Sequence, residues 1–234
     1  MARCSLTGFC YEPNQSMKIV QCWDDGVEDD IRLCELLRSF GAQATFNLNT
    51  GLHGTDRGSA WLFRGEKEVR KLAKSELVSV YEGFEIANHT LTHLSADKID
   101  PAEWKREVLE GRARLEDLFG RRIAGFAYPF GHCPPHAVET VREAGHLYAR
   151  TCANATPWFP PTDPMLLAAD CYFLSPHFWE RYALAKSSGA PAFYFWGHSY
   201  ELCSEDDWKS FEEKLRRLDS DPDAEWGSLS GMFN

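Results

Sequence analysis

The sequence predicts an α/β protein, a single (β/α) barrel with about seven parallel strands. Three observations predict it. Short apolar runs of strand character alternate with segments of helical period along the whole chain. A parallel connection needs a crossover, and that crossover is normally a helix. The chain has 234 residues, 44% of them hydrophobic, which suits one barrel with a core of its own. No Gly/Ser linker, charge block or low-complexity stretch divides it, so residues 1–234 read as one domain.

The first strand spans 17–23. A helix over 28–40 follows, with Ile31, Cys34, Leu37 and Phe40 on one face and Gly41 as its stop. The second strand, 44–48, leads through a longer loop to a helix expected near 66–77, and the third strand is 84–87. The next helix has the clearest start. Asp100 can cap it, Pro101 takes the first helical position and Glu103 completes a capping box, with Gly120 as the stop. Strand four is 123–128, its helix lies near 135–144 before Gly145, and strand five is 147–151. Residues 166–169 make a weakly marked sixth strand, and Ser175-Pro176 starts a helix. The seventh strand is 192–196, after which Ser204 opens a helix with Trp208, Phe211 and Leu215 on one face.

Composition narrows the function. A formal charge of -10 is opposite in sign to what a phosphate backbone or an anionic membrane attracts, so no nucleic-acid or membrane partner is expected. The longest apolar run, 190–196, is far short of the roughly 20 residues that span a bilayer. Residues 1–16 carry one basic residue, Arg3, and no continuous apolar stretch, so they do not read as a secretory leader and the expected compartment is the cytoplasm. Cys4, Cys10, Cys22, Cys34, Cys133, Cys152, Cys171 and Cys203 show no CxxC spacing and are expected as free thiols.

In a barrel the chemistry sits just past the strand C-termini. After strand one comes Asp24-Asp25-Gly26, a turn by composition, but two adjacent carboxylates behind a buried strand need a positive partner such as a metal. After strand three comes His89-Thr90-Leu91-Thr92-His93. Imidazoles four apart on a helical turn share one face and can grip one ion, although exposed histidines give the same string. With Asp25 they form a two-imidazole, one-carboxylate set suited to zinc and its neighbours. After strand four, Tyr128-Pro129-Phe130-Gly131 is a tight turn whose backbone N–H groups could face an oxyanion. After strand seven, His198 in Trp196-Gly197-His198-Ser199 follows the most apolar strand.

These four motifs, in this order, resemble those of the polysaccharide deacetylase family with the NodB homology domain, carbohydrate esterase family four. The resemblance runs from about residue 17 to about residue 200 and includes Ala44-Thr45-Phe46. It implies a distorted (β/α) barrel and a metal-dependent hydrolase that removes an N-acetyl or other acyl group from an amino sugar or polysaccharide. Carried over residue by residue, it implies that Asp25, His89 and His93 hold one divalent ion, usually zinc, with cobalt, nickel or iron as substitutes. Asp24 is then the general base for the attacking water, the Phe130 backbone N–H a donor to the oxyanion, and His198 the acid that protonates the departing amine.

The chain departs from the pattern twice. The arginine that commonly stands two residues before the proline of the third motif is Ala127 here, and Arg150 at the end of strand five is expected to reach the same pocket. The fourth motif, an Asp followed by Trp, is replaced by Asp170 without the Trp, and Asp170 is expected to pair with His198. Trp23, Trp61, Trp158 and Trp196 are candidates for a sugar-binding cleft as well as for the core, and His53 and His132 are minor candidate substrate contacts. A small molecule or an oligosaccharide is the expected partner. Three other readings use the same residues: hydrolysis of another C–N bond, such as a cyclic amide or ureide; a non-haem iron oxygenase, which shares the ligand set; and a non-catalytic carbohydrate-binding relative.

Overall fold

The computed structural model describes residues 3–4, 10–11 and 16–233. Most of residues 1–16, where no leader is expected, and the side chains of Cys4 and Cys10 lie outside what the structure describes. Among those described, Cys22, Cys34, Cys133, Cys152, Cys171 and Cys203 are free, and no helix is long and apolar enough to cross a membrane.

Strands β1 (Arg3–Cys4) and β2 (Cys10–Tyr11) form a small antiparallel pair. The main sheet begins with β3 (Met17–Asp24), followed by α1 (Asp29–Ser39) and β4 (Thr45–Leu48). Next come the hairpin β5 (Trp61–Phe63) and β6 (Lys67–Val69), the single turn α2 (Leu77–Val80), and β7 (Glu85–Asn88). Helix α3 (Pro101–Phe119) leads to β8 (Gly125–Ala127), and α4 (Pro135–Glu143) to β9 (Tyr148–Asn154). Then follow β10 (Leu167–Ala169), β11 (Cys171–Tyr172), α5 (Phe178–Ser187), β12 (Ala192–Gly197), α6 (Glu205–Asp219) and β13 (Ala224–Trp226).

The sheet runs β10-β9-β8-β7-β4-β3-β12-β11, every pairing parallel, with β13 beside the start of β3. The two ends of this order are consecutive in sequence. Strand β10 pairs with β9 and β11 pairs with β12, and only Asp170 separates them. One bent strand therefore brings the sheet close to a ring, which counts seven positions when β10 and β11 are taken together. Asp170 makes the bend. Its N–H donates to the Tyr194 carbonyl at 2.8 Å, and its carboxylate accepts from the Tyr194 N–H at 2.7 Å.

Local sequence explains most elements. Strand β3 is buried almost throughout, as parallel strands covered on both faces must be. Asp100 caps α3 by accepting from the Ala102 and Glu103 N–H groups, and Gly120 stops it with φ 63°. Glu103 pairs with Arg106 instead of closing a capping box. On α6, Trp208, Phe211 and Leu215 are buried as the pattern requires, and Phe211 packs edge-on against Trp23 at 5.3 Å.

The helix expected near 66–77 is absent. Arg64 and Gly65 take left-handed backbone (φ 53° and 77°), which reverses the chain into the β5–β6 hairpin. Trp61 and Phe63 then dock edge-on against Tyr200 at 6.0 and 5.1 Å. Tertiary packing of two aromatic rings overrides a helical period that only local sequence supported.

Candidate active site

Asp24 and Asp25, His89 and His93, Phe130 and His198 fall at the C-terminal ends of strands β3, β7, β8 and β12 or in the loops that follow, whereas Arg150, expected at a strand end, lies inside β9, which runs on to Asn154, level with the last residue of β8. The barrel thus gathers at one rim residues up to 174 positions apart in sequence, from Asp24 to His198.

Asp24 ends β3 and is buried. Asn47, beside it on β4, donates to its Oδ1 at 2.6 Å, and Arg150 on β9 donates to its Oδ2. Burial alone would raise the Asp24 carboxyl, but the Arg150 guanidinium, with His89 and His198, holds it below the usual carboxylate range. Arg150 reaches the carboxylate from strand five, as expected from the gap at Ala127.

Asp25 takes a left-handed backbone, φ 88°, followed by Gly26 at 65°. A Cβ on Gly26 would lie 2.7 Å from the His53 ring, so glycine is required there by space as well as by φ. His53 is thereby a buried support of this turn, its Nδ1 on the Leu72 carbonyl at 2.8 Å. Asp25 Oδ1 lies 3.9 Å from His93 Nε2 and 3.1 Å from Lys71 Nζ. Burial raises the Asp25 carboxyl, but the Lys71 ammonium together with His198, His89 and His93 more than offsets this, leaving it well below its ordinary value.

The His89-to-His93 segment is not a helical turn. Thr90 and His93 adopt left-handed backbone, φ 65° and 61°, which ends any helical run. The imidazoles nonetheless meet with ring centroids 4.7 Å apart, because α3 clamps the loop. Buried Glu107 accepts from Thr92 N at 2.7 Å and from Thr92 Oγ1 at 2.8 Å, while Leu91 N donates to the Glu107 carbonyl. The loop rather than a helix face carries the spacing.

One donor atom each from Asp25, His89 and His93 lies within 4.8 Å of the others. His89 Nδ1–H donates to the Ala127 carbonyl at 2.7 Å, which leaves Nε2 as a lone-pair donor. Burial lowers His89 to about 4 and also lowers His93, so both rings are neutral at pH 7, the state a metal ligand requires. The donor chemistry fits one divalent ion.

His198 Nε2 lies 3.8 Å from Asp24 Oδ2 and 3.9 Å from Asp25 Oδ2. Its Nδ1 is held by Glu201 Oε2 at 3.1 Å, and Glu201 also accepts from the His198 N–H and from the Tyr172 hydroxyl. Burial opposes the charged imidazole, yet Glu201, Asp24 and Asp25 together raise its pKa. The expected Asp170–His198 pair does not form. Asp170 is committed to Tyr194 at the barrel seam, and Glu201 takes the place beside the ring. The signal for Glu201 was present in the sequence: His198 and Glu201 are the first and fourth residues of a capping box, a spacing that turns the acid back onto the cap.

Phe130 has φ 59°, and its exposed ring lies 4.7 Å from the His93 ring. Among described residues, left-handed backbone outside glycine occurs at Asp25, Arg64, Thr90, His93 and Phe130, and all but Arg64 belong to this rim. Such conformations persist only where the surroundings enforce them, and they concentrate at functional sites. Of the tryptophans, Trp23 and Trp158 are core. Half-buried Trp61 and Trp196 border the rim; the Arg150 guanidinium carbon lies 4.6 Å from the Trp196 ring centroid. His132 is half exposed and paired with Asp97 at 3.0 Å.

The near-closed parallel barrel thus carries an aspartate-histidine-histidine donor set and a buried carboxylate at one rim. The sequence profile described as polysaccharide deacetylase matches residues 12–149, and the chain belongs to that family. A peptidoglycan-N-acetylglucosamine deacetylase of Bacillus cereus is 27% identical over 136 residues, covering 57% of this chain and 56% of that protein. The chain thus matches about half the length of that relative. Among solved structures, a family 4 acetyl xylan esterase from Clostridium thermocellum in complex with a cobalt ion superposes with TM-score 0.57 at 16% identity, covering 92% of this chain and 90% of the other. A peptidoglycan N-acetylglucosamine deacetylase superposes with TM-score 0.59 at 15% identity, covering 95% and 90%. At these identities the structural likeness speaks for the fold.

Proposed function

We propose that this protein is a metal-dependent hydrolase that removes an N-acetyl or other acyl group from an amino sugar or polysaccharide, within a single catalytic domain. The observation that carries the proposal is the arrangement around Asp24. A buried carboxylate, fixed on one oxygen by Asn47 and on the other by Arg150, stands beside the Asp25, His89 and His93 donor set and within 3.8 Å of His198. Asp25, His89 and His93 hold one divalent ion, zinc or a neighbour such as cobalt, nickel or iron. When bound, such an ion supplies Lewis acidity to a water and to the substrate carbonyl.

The protein's own groups do the rest. Asp24, kept ionised by Arg150, takes the proton of the attacking water, and Asn47 and Arg150 keep its oxygens from rotating away. The Phe130 backbone N–H is the proposed donor to the developing oxyanion. His198, oriented by Glu201, gives a proton to the leaving nitrogen; without it the amine would have to depart as an anion. The test compares acetate release from N-acetylglucosamine oligomers with ring opening of small cyclic imides, each with added divalent metal and with a chelator. Acetate release that the chelator abolishes and Asp24→Asn eliminates supports the proposal. Imide opening alone would move the substrate to a small cyclic amide, and glycan binding without turnover would reduce the protein to a lectin-like role.

A further inference from the structure

Lys71 belongs to none of the motifs, and the reaction proposed above does not use it. It nevertheless sits against the Asp24-Asp25-Gly26 turn by construction of the backbone. Glu28 N donates to the Arg70 carbonyl at 2.9 Å, Leu72 N donates to the Gly26 carbonyl at 3.0 Å, and Val27 and Lys71 form an isolated antiparallel bridge. This staple brings Lys71 Nζ to 2.5 Å from the Asp25 carbonyl, 3.1 Å from Asp25 Oδ1 and 3.3 Å from Asn49 Oδ1. An ammonium has three donors. All three have acceptors within this chain, and the side chain is only 14% exposed, so Lys71 is not a free hook for an anionic substrate.

The charges matter as much as the bonds. Asp24 and Asp25 bring two negative charges to the rim, and Arg150 and Lys71 bring two positive ones beside them. We infer that Lys71 is a positioning residue for the metal centre, which holds Asp25 in its left-handed turn and, by its charge, limits how tightly the Asp25, His89 and His93 set binds a divalent cation. The inference rests on the reading of those three residues as metal ligands.

Two effects of Lys71 on an ion oppose each other. Holding Asp25 in place favours binding, whereas a like charge disfavours it. Ligand oxygens stand about 2.0–2.2 Å from zinc, so an ammonium 3.1 Å from Asp25 Oδ1 is close to any ion that oxygen holds. At such range, in a partly desolvated site, repulsion between a single and a double charge exceeds the ordering that one lysine imposes on a turn already fixed by its backbone bonds. Removing the charge therefore tightens binding.

Zinc is titrated into the wild type, Lys71→Met and Lys71→Arg in competition with a chromophoric chelator, with folding of each checked by circular dichroism and thermal melting. Lys71→Met is expected to bind zinc at least ~10-fold more tightly, and Lys71→Arg, which keeps the charge, to stay within about threefold of wild type. A merely structural lysine predicts the reverse order, so equal or weaker binding by folded Lys71→Met overturns the inference. If Lys71→Met does not fold, Lys71→Gln gives the same readout. A wild type that binds neither zinc nor cobalt overturns the metal-ligand reading itself, a failure visible before any variant is compared.

Discussion

Arg150 donates through Nη2 to the Asp24 carboxylate, and the two side chains are 1% and 4% exposed. They are 126 residues apart in sequence and meet because Arg150 stands on β9 level with Ala127, the last residue of β8, at the rim where β3 ends. An exposed ion pair contributes little, but this one is desolvated, with its guanidinium stacked on Trp196. Its effect is mainly directional: it fixes which way the carboxylate faces while leaving it charged.

Removing the arginine leaves a buried carboxylate without its counter-charge. Arg150→Ala is expected to cost about 3–5 kcal/mol of stability and to abolish turnover. Arg150→Lys keeps a charge without the planar fork and should fall between the two. Thermal denaturation and turnover at saturating substrate check both; an Arg150→Ala protein with wild-type stability and rate would contradict the assignment.

Glu201 and Asp170 separate a partner of the acid from a structural carboxylate. Glu201→Gln weakens the support for charged His198 and is expected to lower kcat by about 10²-fold with little change in KM. Asp170→Asn should leave kcat close to wild type, since Asp170 touches Tyr194 and not His198. Steady-state kinetics on the two variants decides it, and the reverse order would restore Asp170 as the partner of the acid.

Gly111 lies on α3 where that helix meets the histidine loop. A Cβ there would stand 2.7 Å from Asn88 Oδ1 and 2.9 Å from Leu91 N. In an open helix, Gly→Ala gains up to about 1 kcal/mol. Here overpacking, at about 1–3 kcal/mol, wins. Gly111→Ala should therefore lower the urea midpoint and weaken zinc binding together, because the displaced loop carries His89 and His93. A stabilised variant with unchanged zinc affinity would show that the loop has room to yield.

The residues that sequence reached are those whose signal is local. Asp24-Asp25-Gly26 and the two histidines stand directly after apolar strands, and Arg150 was found from the gap at Ala127. The residues it missed are set by the folded chain. Lys71 meets Asp25 only through the bridge between 27 and 71. Asp170 has a strand-end position like the others, but closing the barrel commits its N–H and Oδ2 to Tyr194. The spacing of His89 and His93 predicts a shared helix face, whereas a loop clamped by Glu107 brings the rings together. The 66–77 segment has helical period, yet the Arg64-Gly65 reversal and the rings of Trp61, Phe63 and Tyr200 settle it as a hairpin followed by a short turn.

Asp170 also makes a pH-dependent contribution that can be isolated. Burial pushes its carboxyl up to about 7, against about 3.9 for an unfolded aspartate. Between those values the folded chain binds more protons than the unfolded one, so this group's contribution to stability falls as pH rises, by on the order of 4 kcal/mol in all. His53, His89 and His146 act in the opposite sense. Burial lowers each to about 4, so their contribution rises with pH until the unfolded imidazoles titrate. The wild-type profile therefore mixes opposing slopes, and only a difference is diagnostic. Relative to wild type, Asp170→Asn should gain stability progressively between pH 4 and 7, measured as the difference in urea midpoints at a series of pH values. The histidine contributions are common to both proteins and cancel. A difference that stays flat across that range would mean that Asp170 is ionised in the folded protein throughout, with its charge satisfied at the seam where β10 passes into β11.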